Sequence, residues 1–429
     1  MNETAPFAQN GGSRRDFLVK SAGAAAVWTG AGLALNRAVY AGGDDTLRVA
    51  LIGCGGRGTG AAGNCLNGKD NLKLVCVADL FRERAERALK RLKRKYKDRV
   101  AVSPDRIVIG FDAYRKVFAL DEVDYVILAT PPAFRPEHYA AAVRAGKHVF
   151  MEKPCCVDAP GFRLLMETNK LADQKGIKVA VGLQRRHSKS YRQWLEEVRS
   201  GVIGDIEFLR VYWNGAFASS GYGERRSGET EMEFQIRNWN HFRWLSGDHI
   251  VEQHVHNLDV ANWILDAHPI EANGMGAQVQ RKRSQNFDHH FVEFTYPDGR
   301  KVYSQCRQMS GCWNKIGEVV HGTKGVKELG GHGSDGYDNE HADLVAAIRN
   351  GTKLNDGWHG ATSSFTGVLG RMATYSGKVI RWDEAVAKGP DEGPKQTADF
   401  TLETNPPVLP DSDGTYQSHV PVPGVYKAF

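Results

Sequence analysis

From residue 47 onward, short apolar runs alternate with longer stretches in which apolar residues recur every three or four positions. Leu47-Arg48-Val49-Ala50-Leu51-Ile52 is the first run. Leu72–Ala78, Val108–Phe111, Asp124–Ala129, Lys147–Met151 and Val179–Leu183 repeat it. Runs of this length, rich in Val, Ile and Leu, predict buried strands. Between them, residues 80–98, Arg135–Ala145 and Gly161–Lys175 predict helices, with Gly146 placed to cap the second. Strand, helix, strand repeated in this way builds right-handed βαβ units and a parallel sheet.

Beyond residue 200 the pattern changes. Ile206–Trp213 alternates as a half-buried strand does. Phe291–Tyr296 and Lys301–Cys306 flank Pro297-Asp298-Gly299 and predict a hairpin. Glu318–Gly325 carries a strand into a glycine-rich turn. Helices are expected at Glu252–Leu265, Asn339–Asn350 and Ser363–Tyr375. Residues 215–245 are rich in Gly, Ser, Arg, Trp and Asn and predict an irregular insertion near a site. Its Trp239, Phe242 and Trp244 are suited either to stacking on a sugar or to packing.

The chain has 429 residues, 41% hydrophobic and 25% charged. That is ordinary globular usage with room for two or three domains, and it excludes a rod or a disordered chain. The formal net charge of +6 is too mild for a nucleic-acid binder. The densest basic run, Arg87–Lys97, reads as the solvated face of a charged helix. The seven cysteines fit no zinc spacing, and Cys155-Cys156 read as packed thiols.

Residues 13–20 read Ser-Arg-Arg-Asp-Phe-Leu-Val-Lys, followed by an Ala/Gly-rich apolar stretch and Val39-Tyr40-Ala41. This is the order of a twin-arginine signal, predicting residues 1–41 as a signal peptide and a periplasmic protein. The apolar stretch is too short and too diluted to span a bilayer, so no span is expected in the mature chain.

Gly53-Cys54-Gly55-Gly56-Arg57-Gly58 directly follows the first strand. The G-x-G-x-x-G spacing points to a dinucleotide: Gly53 for the tight turn, Gly55 for close approach of the pyrophosphate, Gly58 for helix–strand contact. Asp79 closes the second strand about twenty residues beyond Gly58, where a ribose-binding acid is expected. It favours NAD, while nearby Arg82 keeps NADP open. Arg57 belongs to the same turn. Thr130-Pro131 breaks a strand at its carboxyl end, where ligands of such sheets gather.

Three motifs then carry a resemblance. Ala129-Thr130-Pro131-Pro132, Ala145-Gly146-Lys147-His148-Val149 and Glu152-Lys153-Pro154 resemble the core motifs of the glucose–fructose oxidoreductase/inositol dehydrogenase family (Gfo/Idh/MocA), over about residues 46 to 385. The resemblance implies an α/β N-terminal Rossmann domain and an α+β C-terminal domain with a large, mostly antiparallel sheet. The expected divisions are residues 45–155, residues 156–385 and an extended tail, 386–429, wrapping the body or a partner. Homo-oligomerisation through the C-terminal sheet is expected with it. The resemblance further implies Glu152 and Gln184 beside the cofactor, Lys153 at the nicotinamide, and Arg186 or Tyr191 touching a polyol. An ammonium at Lys153 would stabilise negative charge growing on a substrate oxygen.

The family's Asp-x-Gly-x-His-x-x-Asp pattern falls on Glu252, His254, His256 and Asp259. On one continuous helix Glu252, His256 and Asp259 would share a face, with Glu252 orienting His256 as a base. His254 and Asp259 are then substrate contacts. Glu252 and His254 depart from the family pattern and put inositol-like specificity in question. A competing reading takes these four as metal ligands, although no metal is expected. The expected activity is NAD-dependent oxidation of a sugar, sugar derivative or cyclitol with tightly bound cofactor. The alternatives are a redox-neutral NAD-dependent glycosidase and a non-catalytic sugar-binding protein.

Overall fold

The computed structural model describes residues 45–216, 222–329 and 333–429; the twin-arginine segment lies outside them. The first half runs β1 (Leu47–Ile52), α1 (Gly56–Asn67), β2 (Leu72–Asp79), α2 (Arg82–Tyr96), β3 (Ile107–Ile109), α3 (Ala113–Phe118), β4 (Tyr125–Leu128), α4 (Arg135–Arg144), β5 (His148–Met151), α5 (Ala159–Lys175) and β6 (Val179–Val181). Its six strands are all parallel, in the order β3-β2-β1-β4-β5-β6. The order reverses between β1 and β4, so their carboxyl ends open a crevice suited to a ligand. Because β6 belongs to this sheet, the parallel sheet runs past the boundary expected at residue 155.

The second half runs α6 (Lys189–Arg199), β7 (Ile206–Gly215), α7 (Glu231–Arg237), α8 (Arg243–Ser246), α9 (His249–Glu252), α10 (Val255–Leu265), β8 (Glu271–Ala277), β9 (His289–Thr295), β10 (Lys301–Gln308), β11 (Lys315–Gly322), β12 (Gly325–Leu329), α11 (Gly336–Asn350), α12 (Gly357–Ser376), β13 (Ile380–Arg381) and α13 (Trp382–Lys388). Seven strands form one sheet in the order β12-β11-β7-β10-β9-β8-β13. Only the β7–β10 pair is parallel, because an insertion separates those strands in the chain. Long α12 ties the halves together: Phe365 stacks on Phe162 of α5, 4.5 Å between centroids, in an apolar core that includes Val126 of the first sheet and Val292 of the second. Leu47–Phe429 packs as one unit.

Two expectations are corrected, and an alternative left open is resolved as packing. Among its described residues the insertion at 215–245 is partly helical, since it carries α7 and most of α8, and Thr230 caps α7 by accepting from the Glu233 amide (3.2 Å). Phe242 and Trp244 are core, and Trp244 Nε1 donates to Gln235 Oε1 (2.7 Å). The helix expected across Glu252–Leu265 is broken at Gln253-His254 into α9 and α10. The tail lies against the body, where Glu392 pairs with Arg243 (3.0 Å) and Arg371, and Tyr416 is buried. Burial pushes the thiols of Cys65, Cys76 and Cys155 up to about 12, which suits packed, unreactive cysteines.

One contact makes stability pH-dependent. His187 Nδ1 lies 2.7 Å from Asp343 and Nε2 3.2 Å from Asp356. Burial works against the imidazolium, but the two carboxylates win and raise His187 to about 9. The charged ring therefore adds stability below its ordinary value of 6.5, and this is lost as pH rises through about 9. The loss amounts to about 3 kcal/mol at one pKa unit per 1.4 kcal/mol. Thermal melting should fall between pH 6 and pH 10 in the wild type and much less in His187→Gln; equal slopes would refute the assignment.

Candidate active site

The glycine turn after β1 is shaped by two close approaches. Gly53 has φ +95°, and a Cβ there would sit 2.5 Å from the Ala129 carbonyl carbon beyond β4. A Cβ on Gly58 would overlap the Gly53 carbonyl oxygen. Gly55, by contrast, faces open space at the start of α1, leaving the helix N-terminus accessible to a phosphate. Asp79 is pinned at the end of β2, accepting from the Cys54 amide (2.6 Å) and the Phe81 amide (2.9 Å). Burial raises its carboxyl pKa, and the two amides pull it back only in part.

A cavity of about 250 Å³ lies over this turn. Gly53, Gly55, Arg57, Gly58, Asp79, Thr130 and Pro131 line it, closed by Phe81, Phe111 and Phe134. Turn, helix start and ribose acid thus fit a dinucleotide. Arg84 lines this cleft and lies over the Phe81 ring at 4.8 Å, whereas exposed Arg82 pairs with Glu86. The basic residue beside the ribose site is therefore Arg84, not the expected Arg82.

A second cavity, about 470 Å³, shares Arg57, Thr130 and Trp239 with the first. Glu152, Lys153, Glu252 and His256 all line it. Lys153 Nζ donates to the Glu252 carbonyl (2.5 Å) and to Glu252 Oε1 (2.9 Å). The break after α9 makes this contact available, because a continuous helix would commit that carbonyl to the His256 amide. The side chains are only 15% and 23% exposed, so the pair is held firmly yet open to the cavity. His256 stacks on Trp213, 5.7 Å between centroids. Glu152 pairs with Arg57 (2.6 Å), whose guanidinium lies over Tyr337 at 5.0 Å. Buried Arg135 fixes the strand end by donating to the Leu128 carbonyl (3.0 Å) and the Thr130 carbonyl (2.5 Å).

Other expected contacts are elsewhere. Arg186 and Asp259 form a bidentate pair (2.8–3.0 Å) away from both cavities, with the Ser363 hydroxyl also on Asp259. Tyr191 is buried and donates to Glu318 (3.3 Å). Gln184 is buried in the turn after β6 and lines neither cavity. His254 is buried against β10, hydrogen-bonded to Ser304 (2.8 Å), and burial holds its imidazole well below the usual range. The break separates Glu252, at the end of α9, from His256 and Asp259 on α10, while His254 is committed to Ser304 and Asp259 to Arg186. The four therefore do not converge as metal ligands.

Sequence reasoning missed Trp213, Gln253, Arg281, Gln308 and Tyr337 as cavity residues, and His249 with them. Adjacent Asp248-His249 was the readable signal. Asp248 Oδ1 lies 2.9 Å from His249 Nδ1, and its other oxygen accepts from Tyr375 (2.5 Å) and the Phe287 amide (2.9 Å). With His290 these two make a buried cluster of ligand types, already engaged in hydrogen bonds.

Comparison with known proteins decides the family. Residues 47–183 match the model of an oxidoreductase family with an NAD-binding Rossmann fold, and residues 191–328 match the GFO/IDH/MocA C-terminal domain. The chain belongs to the Gfo/Idh/MocA family. Its first sheet is this family's NAD-binding fold. Among curated relatives, scyllo-inositol 2-dehydrogenase (NAD(+)) of Bacillus subtilis is 27% identical over 292 residues, 66% of this chain and 74% of that one. Inositol 2-dehydrogenase of Salmonella typhimurium is 25% identical, over 52% of this chain and about half, 55%, of that one. A glycosyl hydrolase family 109 protein of Streptomyces coelicolor is 28% identical over 38% of this chain and 32% of its own. Myo-inositol 2-dehydrogenase of Lactobacillus plantarum shares the fold, with a TM-score of 0.63 at 21% identity, covering 79% of this chain and 99% of that one. Scyllo-inositol dehydrogenase of Lactobacillus casei, solved with NAD(H) and scyllo-inositol, gives a TM-score of 0.62 at 17% identity over 79% and 99%.

Proposed function

We propose that this Gfo/Idh/MocA protein oxidises a secondary hydroxyl of a cyclitol, sugar or sugar derivative. The observation that carries the reading is that Lys153, Glu252 and His256 line one cavity beside the dinucleotide cleft. The inositol dehydrogenases among its relatives support the cyclitol class. Bound NAD would supply the hydride acceptor. Gly53, Gly55 and Gly58 would receive its pyrophosphate, and Asp79 its ribose. Lys153, steadied by both Glu252 contacts, holds the reacting oxygen and stabilises its developing charge. His256 takes the hydroxyl proton. Glu252 positions Lys153 rather than His256, a role that differs from the one its sequence spacing suggested.

The experiment is a screen of cyclitols, sugars and glycosides with cofactor absorbance and free sugar both followed. Oxidised product from a cyclitol or sugar, with reduced cofactor or a reduced co-substrate, supports the oxidoreductase. Free sugar released from glycosides without net reduction would favour the redox-neutral glycosidase, which the family 109 relative keeps in view. Glu252→Gln should reduce turnover less than loss of Lys153, because the carbonyl contact survives.

We also propose export by the twin-arginine route, supported by Arg14-Arg15 and the apolar stretch after it. Fractionation should place the protein outside the cytoplasm, and Arg14→Lys with Arg15→Lys should retain it inside. Among the described residues no helix is long and apolar enough to cross a membrane. Self-association through the second sheet belongs to the same proposal and rests on its uncovered face, where β9 and β10 alternate buried with half-buried positions.

A further inference from the structure

A third apolar cluster joins three distant parts of the chain. It gathers Phe81 and Phe134 from the lips of the dinucleotide cleft, Phe234, Ile236, Phe242 and Trp244 from the insertion, and Tyr416 from the tail. Phe111, also in the cleft, meets Phe400 of the tail edge-on at 5.7 Å. Phe134 meets Trp244 at 6.4 Å, and Phe242 meets Tyr416 at 4.9 Å. Hydrogen bonds follow the same line. Gln235 donates to the Val408 carbonyl (2.7 Å), the Thr230 hydroxyl donates to the Leu402 carbonyl (2.6 Å), and the Tyr416 hydroxyl donates to Glu231.

The insertion delivers one segment, Ile236–His241, to the cavities. Ile236 lines the dinucleotide cleft, Trp239 lines both the cleft and the substrate cavity, and Asn240 lines the latter. The far end is fixed too. The Asn240 carbonyl accepts from Asn286 (2.8 Å), and the His241 carbonyl accepts from the Ser284 hydroxyl (2.9 Å) and the Gln285 amide (3.1 Å).

We propose that Ile236–His241 is a cofactor clamp, with Trp239 seated where the dinucleotide meets the substrate cavity, and that the tail around Phe400–Tyr416 holds it shut. The inference rests on the oxidoreductase reading. Opening the cleft means separating the insertion from Phe81, Phe111 and Phe134 and exposing that apolar surface to water. A bound dinucleotide therefore exchanges slowly, and the tail, which lines neither cavity, governs its release.

The test loads the purified full chain with NADH and follows nicotinamide fluorescence during a chase with excess NAD⁺. Wild type should keep NADH through desalting and exchange it slowly. Trp239→Ala and Phe400→Ala should each release it about tenfold faster or more, one factor of ten for each 1.4 kcal/mol of closure lost. Melting curves confirm that both variants stay folded, and Phe400→Leu, which keeps an apolar side chain, should restore slow release. Wild-type exchange as fast as that of both variants would overturn the clamp. If wild type still titrates with NADH in that case, the oxidoreductase reading stands. A wild type that neither takes up NADH nor releases bound NAD(H) on denaturation overturns both.

Discussion

Replacing His256 with alanine is expected to lower turnover by about 10²–10⁴-fold, the usual contribution of a positioned general base. Lys153→Met should cost about 10²–10³-fold, as for loss of one donor to a developing oxyanion. The two effects should not add, because both groups act on the same O–H bond. Bound NAD should change little in His256→Ala, since His256 lines only the substrate cavity and rests on Trp213. Steady-state rates with cofactor content measured on the same samples check this. Wild-type turnover in His256→Ala would remove it as the base, and a metal-dependent site would instead lose activity to a chelator.

A single methyl group at Gly58 should be the most damaging change to the fold of the cleft. Both partners in the clash are backbone, so no rotamer can relieve it. Gly58→Ala should cost about 3 kcal/mol, the upper range for overpacking, and abolish NAD binding. Gly55→Ala offers the contrast, because its Cβ meets nothing within 4 Å. That variant should melt as wild type does without NAD and lose the upward shift that NAD gives to the wild type. Melting curves with and without NAD separate the two. A Gly58→Ala protein as stable as wild type would contradict the close approach of α1 to β1.

The parallel half was legible because its signals are local. β1, β2 and β4 are continuous apolar runs, and Gly53 through Gly58 need their residue types for reasons of backbone geometry. Asp79 could be placed by counting. β8 escaped notice because Gly274 and Gly276 dilute it, and both are required where the β9 carbonyls of Phe291 and His289 leave no room for a Cβ. The site was half legible. Lys153, Glu252 and His256 were singled out and line one cavity, but their mutual arrangement depends on the break at Gln253-His254, which apolar spacing hides because both sides of it are buried. Arg186 and Asp259 looked like substrate contacts for want of a visible partner, and each proved to be the other's. Trp239 reaches the first cavity, and the tail reaches the aromatic cluster beside it, only through long-range packing that no local pattern encodes.

The most direct test of the central claim is a single exposure of NAD-loaded protein to substrate carrying deuterium on the carbinol carbon. Bound cofactor is then released by denaturation and weighed. Up to one deuterium is expected in the nicotinamide ring of each cofactor, gained with cyclitol or sugar and lost in Lys153→Met and His256→Ala. No transfer from any cyclitol, sugar or glycoside, with cofactor demonstrably bound, would contradict it.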